Sequence, residues 1–193
     1  MKANKRFYID IDELGSSQLY LNQDKLEDIL GWYDPLKINE YEPLPVYDFH
    51  GNGKFNLTDG HTRAYVLYRS GVSKIPVMVD NDEIVTCELG QILYKEYTEW
   101  CIRFGINTVK DLERRIISNN DYEFLWIERC DRLYNLIIAM EESLITLKDY
   151  ENLKMIGKNR ELILYGANKN VSSYYYEDTS GYLWTYKDRE FIN

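Results

Sequence analysis

With 193 residues, 45% hydrophobic and 28% charged, the chain is long enough to bury one sizeable core, or a compact domain plus an extension, and too short for several large domains. A formal net charge of −9 opposes general attraction to nucleic acid, because such binding draws much of its affinity from Lys and Arg displacing counterions; bulk DNA binding is not expected. No apolar run approaches the ~20 residues of a membrane span, and the N-terminus runs into Phe7-Tyr8-Ile9-Asp10 without an apolar signal core, so the expectation is a cytoplasmic protein with no membrane role.

Residues 8–14 alternate apolar and acidic side chains and predict a half-buried strand. After the Gly15-Ser16-Ser17 break, Asn22 can cap a helix whose Leu26, Ile29, Leu30 and Tyr33 turn inward and which ends before Pro35. Residues 44–49 predict a strand, Gly51-Asn52-Gly53 a hairpin, and residues 54–58 its second strand. A helix follows over 61–70 with Ala64, Leu67 and Tyr68 inward, closed by Gly71 in the left-handed conformation, and then a strand over 75–79. Strand, tight turn, helix and strand in that order form a crossover unit, whose two strands run parallel if they share a sheet.

Residues 1–85 thus read as an α/β lobe, and the pattern changes beyond it. Leu89, Ile92, Leu93, Tyr97, Trp100 and Phe104 form one helical stripe, Val109, Leu112 and Ile116 a shorter one, and Tyr122, Leu125, Trp126, Arg129, Leu133 and Leu136 a third. Strand character returns over 162–165, 174–176 and 182–186, with a turn at 178–181. The second region, 86–193, is therefore expected to be helical with a C-terminal β-hairpin cap. Cys87, Cys101 and Cys130 lack CxxC spacing and read as reduced thiols, and with two histidines the chain offers no tetrahedral zinc set.

The chemistry concentrates in Asp59-Gly60-His61-Thr62-Arg63, where a turn feeds a helix N-terminus and aims free backbone N–H groups and the positive end of the helix dipole at one corner. Gly60 lets the backbone approach closely, Thr62 can donate a hydroxyl, His61 can give or take a proton, and Arg63 offers a planar fork to phosphate oxygens. Asp59 can hold Mg²⁺ or accept a hydrogen bond. The plainer alternative is that Asp59 merely caps the helix while Arg63 pairs with an acid. Asp80-Asn81-Asp82-Glu83, after the returning strand, either faces a pocket or forms a solvated acidic turn. Trp100, Trp126 and the run Tyr174-Tyr175-Tyr176 can stack on a base or simply fill a core.

The stretch Phe55-Asn-Leu-Thr-Asp-Gly-His-Thr-Arg-Ala-Tyr-Val-Leu-Tyr-Arg-Ser-Gly-Val-Ser-Lys-Ile-Pro-Val77 resembles the core of the ParB/sulfiredoxin superfamily, in which an apolar strand enters a D-G-H-x-R or G-E-R-R type turn, then a helix, a Gly and an Ile-Pro-Val strand. With the upstream Ser16-Ser17-Gln18 loop and the helix capped by Asn22, the resemblance covers residues 6–85. It implies a ParB/sulfiredoxin-like α/β domain followed by a helical region and a small β-rich C-terminal tail. It also implies that Gly60, His61, Thr62 and Arg63 contact nucleotide phosphates, with Gln18 on the facing loop. The superfamily includes CTP-hydrolysing ParB proteins, ATP-using sulfiredoxins and ADP-dependent kinases of free serine. His61 stands where sulfiredoxins carry a nucleophilic Cys, and no basic recognition helix follows as in ParB. The serine kinases are nearest in motif, although Thr62 replaces their second His and Gln18 falls where they place a Glu base; a kinase would have to recruit Asp12, Asp80, Asp82 or Glu83.

The expected function is a nucleotide-binding protein, taking ATP, ADP or CTP with Mg²⁺ on Asp59, in which Asp59 and His61 serve phosphoryl transfer to a small acceptor or nucleotide hydrolysis. The alternative is a non-catalytic module that senses a nucleotide or another anion at the same corner and binds a protein partner or a second copy through its acidic helical half.

Overall fold

The computed structural model describes residues 5–141, 162–167, 173–178, 183–187 and 190–192. The chain divides into two compact units, Met1–Tyr122 and Glu123–Asn193.

The first unit is built on a mixed four-stranded sheet. Strand β1 (Phe7–Asp10) lies antiparallel to a later strand that spans Lys74–Val79, with Phe7 opposite Val77 and Asp10 opposite Lys74. Between them in the chain come the two-residue strand β2 (Leu21–Asn22), helix α1 (Gln23–Trp32), β3 (Leu44–Tyr47), β4 (Asn56–Leu57) and helix α2 (His61–Arg69), which make the Lys74–Val79 strand β5. The sheet order is β1-β5-β3-β4. β3 and β5 run parallel and β3 and β4 antiparallel. β4 and β5 are therefore antiparallel with β3 between them, not the parallel crossover pair expected from the sequence. The reason lies in the loop after β3, where Gly51 and Gly53 take φ of +64° and +84° and the Asp48 carboxylate accepts the N–H groups of His50, Asn52 and Gly53. That reversal sends β4 back along β3, so β3 is the strand that β5 parallels.

The segment after β1 returns to the far edge of the sheet. Gly15 N–H donates to the Phe55 carbonyl at 2.9 Å, and Leu57 N–H to the Gly15 carbonyl at 3.0 Å. A Cβ on Gly15 would come within 2.1 Å of Asn56 Oδ1, so the approach needs glycine. One face of the sheet supplies Leu44, Val46, Leu57, Ile75 and Val77 to the core, where Ala64 and Leu67 of α2 and Leu14 and Leu19 join them. Burying each large aliphatic side chain contributes roughly 1.5–3 kcal/mol.

Helix α2 is sunk into the unit, with Tyr65 and Val66 buried as well as the expected Ala64 and Leu67, while Tyr68 is only half-buried. It ends as the sequence predicts: Gly71 takes φ +76° and Val72 N–H reaches back to the Leu67 carbonyl. α1 rests on α2, and the Asn22 side chain accepts Lys25 N–H at its start. α1 buries no residue, however, and Leu30, expected inward, is exposed. It is an outer helix that covers α2 with one narrow face.

After β5 come α3 (Glu83–Thr86) and α4 (Glu88–Arg103), both inside the first unit, so the sequence boundary after Val85 falls within α3. The stripe from Leu89 to Phe104 lies on α4 and its end, with Trp100 buried and its other members half-buried. The shorter stripe of Val109, Leu112 and Ile116 is not an α-helix. Val109–Arg114 is a 3₁₀ turn, and Ile116–Ile117 is a strand, β6, parallel to β2. A separation of three residues brings Val109 and Leu112 onto one side of a 3₁₀ turn, and both are fully buried. The unit closes with α5 (Asn119–Tyr122).

The second unit begins with a π turn, Glu123–Ile127, which leads into α6 (Glu128–Glu141); Trp126, Arg129, Leu133 and Ile137 are buried. Strands β7 (Leu162–Ala167), β8 (Ser173–Asp178), β9 (Leu183–Lys187) and β10 (Glu190–Ile192) pair antiparallel in chain order, and β7 lies against α6. The turn expected at 178–181 lies outside the described residues beyond Asp178. Among the described residues no helix is long and apolar enough to cross a membrane.

Candidate functional site: an anion corner at the start of helix α2

Gly60 joins β4 to α2 with φ +77° and ψ 20°. A Cβ there would sit 2.8 Å from Leu44 Cδ2 and 2.9 Å from Arg63 Nη2, in a conformation that already disfavours side chains, so the turn is closed to other residues. No side chain caps α2. The Asp59 carboxylate pairs with the Arg63 guanidinium at 3.6 Å, Asp59 being 69% exposed and Arg63 21%. The plainer alternative is thus half met: Arg63 does pair with an acid, but Asp59 leaves the helix start open.

That start faces a cleft of about 240 Å³ between α1 and α2. Asp59, Gly60, Thr62 and Arg63 form one wall; Lys25, Ile29 and Trp32 of α1 form the other. The first-turn N–H groups of His61, Thr62 and Arg63 have no acceptor within the helix. Thr62 is 3% exposed and contributes to the cleft wall. Two cations, a threonine and a helix start converge on a space of phosphate to diphosphate size, which suits an anion with several acceptor oxygens.

The side chain of His61 does not line this cleft. It is buried, and its Nε2 accepts the Ser17 N–H at 3.2 Å while the Ser17 hydroxyl donates to the Leu57 carbonyl at 2.7 Å. Acceptance at Nε2 puts the ring proton on Nδ1. Burial pushes the imidazole down to about 4, against the pull of Asp59 and with the help of Lys25, so His61 is neutral at pH 7. It pins the Ser16–Gln18 loop to the start of α2 and gives the corner its backbone N–H. Gln18 sits on that loop, half-buried, with its side-chain amide donating to the Tyr20 carbonyl, and it too lies outside the cleft wall.

The acids named as possible bases are placed elsewhere. Asp12 pairs with Lys110 at 3.4 Å. Asp80 accepts the Thr58 hydroxyl and the Asp82 N–H, Asp82 caps α3 through Ile84 N–H at 3.0 Å, and Glu83 is exposed in the first turn of α3. Asp59 is the one carboxylate in the cleft wall among the described residues. Trp100 and Trp126 are buried, and β8 contains Tyr174–Tyr176, of whose side chains nothing is described. Among the described residues no group of three or more His, Cys, Asp or Glu is disposed to hold a metal by itself. Mg²⁺ commonly takes one or two carboxylates and completes its shell with phosphate oxygens and water, a role open to Asp59.

Reading the motif alone missed Lys25, Ile29 and Trp32. Their separations of four and three put them on one face of α1, a signal present in the sequence. No protein-family model matches the chain, and no curated protein matches it.

Proposed function

We propose that the chain binds a nucleotide, or a related phosphate compound, at the Gly60–Arg63 corner. The observation that carries this reading is the uncapped start of α2 opening onto a cleft lined by Arg63, Lys25 and Thr62. Phosphate oxygens would accept the backbone N–H groups of His61, Thr62 and Arg63 and the Thr62 hydroxyl, while Arg63 turns from Asp59 to the ligand in a bidentate contact. Mg²⁺, when bound, would offset phosphate charge with Asp59 as its protein ligand. The hairpin, Gly60 turn, helix and Ile75-Pro76-Val77 strand follow one another in the order found in the ParB/sulfiredoxin superfamily, which supports assigning the first unit to that fold.

Between sensing and phosphoryl transfer, the geometry favours binding. A general base must be titratable and within reach of the acceptor hydroxyl. His61 is buried with its Nε2 committed to the Ser17 N–H, and among the described residues Asp59 is the lone carboxylate in the cleft wall. Calorimetric titration with ATP, ADP and CTP, with and without Mg²⁺, tests the binding; phosphorus NMR of the same mixtures, with and without serine, tests turnover. The expected outcome is saturable binding that Arg63→Ala abolishes without a shift in the unfolding midpoint, and no product. Failure of all three nucleotides and of inorganic phosphate to bind would overturn the reading, and product formation would restore the kinase or hydrolase form.

A further inference from the structure

We propose that the free edge of β1 pairs, antiparallel and about a two-fold axis, with β1 of a second copy of this chain. The pairing is independent of the phosphate corner.

The sheet β1-β5-β3-β4 has two edges. At β4 the main chain of Gly15 bridges to Asn56 and covers part of that edge. β1 has no such cover among the described residues. Its ladder to β5 uses alternate residues: Ile11 N–H donates to the Ser73 carbonyl at 2.8 Å, in register with Ile9 opposite Ile75 and Phe7 opposite Val77. In an antiparallel pair only every second residue exchanges main-chain bonds with its partner, so the N–H and C=O of Tyr8 and Asp10, and of Arg6 before them, point away from β5. Pro76, which has no N–H to exchange, stands opposite Tyr8 as that alternation requires. The Asp10 carbonyl accepts Glu13 N–H at 2.9 Å, while the N–H and C=O of Tyr8 have no main-chain partner among the described residues.

Room for a neighbouring strand lies beside this edge. All four residues of β1 border a hollow of about 840 Å³ whose far side is residues 52–55. Successive side chains of a strand point to opposite faces, so a hollow that touches all four runs along the edge itself. Spread over the roughly 13 Å that four residues span, the volume is about 8 Å across, enough for a strand at the ~4.8 Å spacing of a paired sheet.

The sequence of β1 selects its own copy as that strand. With the two Tyr8 residues opposite each other and exchanging both main-chain bonds, Arg6 of each copy falls opposite Asp10 of the other, and Phe7 opposite Ile9. Opposite charges and apolar side chains therefore meet twice, each a favourable cross-strand pair. Edges are commonly protected by charges that repel a neighbour, whereas here the signs attract. The groups concerned are accessible: Tyr8 is 53% exposed, and Asp10 holds Asp12 N–H on Oδ1 and leaves Oδ2 without a partner among the described residues. The Arg6 guanidinium donates to the Asn39 and Tyr41 carbonyls at 3.0 and 2.9 Å, which fixes it and leaves further N–H groups for a carboxylate. Such a contact is isologous, closes on itself, and joins the two sheets into one.

Sedimentation equilibrium of the full chain tests the pairing; a short strand edge buries little surface, so a reversible monomer–dimer equilibrium is expected within about 1–500 µM. Tyr8→Pro removes the outward N–H and no bond to β5, and is expected to weaken the dimer at least about tenfold with the unfolding midpoint unchanged. Arg6→Asp and Asp10→Arg, each alone, set like charges opposite one another and are expected to weaken it about tenfold. The double variant Arg6→Asp/Asp10→Arg is expected to return to within about threefold of the native chain, a recovery that a purely structural role of either residue would not give. A chain that stays monomeric throughout, or a dimer indifferent to both the proline and the charge exchange, overturns the proposal. So does a monomeric chain that binds a synthetic peptide of residues 5–12, which would give the edge to a strand of another protein.

Discussion

Two helices of the first unit start from turns that follow sheet strands, and the turns are finished in opposite ways. At α3, Asp82 caps Ile84 N–H, and Asp80 accepts the Asp82 N–H and the Thr58 hydroxyl, so the turn is closed by the chain's own carboxylates. At α2 the corresponding place is taken by Gly60, which has no side chain, and Asp59 pairs with Arg63 instead. A helix start whose donors are met by local carboxylates has little to offer an anion; one left open beside Lys25, Arg63 and Thr62 has much. The contrast makes the acidic turn a device of folding and the Gly60 corner the place where chemistry can occur.

The largest effect expected from this contrast comes from His61, whose burial secures the open corner. Its folded pKa of about 4 lies below the ordinary 6.5, so the unfolded chain binds more protons in that interval. The stabilisation is complete above pH 6.5 and is lost as pH falls through 4, amounting to about 3 kcal/mol. Denaturant unfolding at a series of pH values, set against His61→Gln, should show that slope in the native chain and not in the variant; equal slopes would mean that His61 is not held neutral. Next, Gly60→Ala forces a side chain into the left-handed region against Leu44 and Arg63, and should cost about 2 kcal/mol and suppress phosphate binding. An alanine variant of undiminished stability would show that the turn is not fixed as described. Third, Asp82→Ala removes the cap of α3 and should cost about 1 kcal/mol while leaving phosphate affinity unchanged; a loss of affinity would blur the distinction between the two turns. The smallest effect is at Asp59. Asp59→Asn should alter stability by less than about 0.5 kcal/mol, because the pair is exposed, and should raise affinity for phosphate in the absence of Mg²⁺ by freeing Arg63. Weaker metal-free binding in that variant would assign Asp59 a direct part in holding the ligand.

Much of the first unit was legible in residue order. The Asn22 cap, the Gly71 stop and the inward Ala64 and Leu67 all follow from rules that act within one or two turns of chain, and the structure places them so. Strand direction was not legible in the same way. A strand–helix–strand order says nothing of a third strand inserted between the two, and β3 enters because Asp48 gathers three backbone donors into a tight reversal. The Val109-Leu112-Ile116 stripe misled because a spacing of three followed by four fits an α-helix, whereas here a 3₁₀ turn and a strand share it. At the site, the motif located the corner, since Gly60 is demanded by its φ and Arg63 by its reach. It could not foretell that His61 would turn inward, because that depends on Ser17, 44 residues away in sequence. Nor could it reveal the α1 wall, which arises from the packing of α1 on α2.

The most direct test follows the backbone amides of the two helix starts by nitrogen–proton NMR while inorganic pyrophosphate is added. Saturable shifts at His61, Thr62 and Arg63, with Ile84 and Val85 unmoved, are the predicted result. Shifts of equal size at both helix starts, or none at His61, Thr62 and Arg63, would contradict the account.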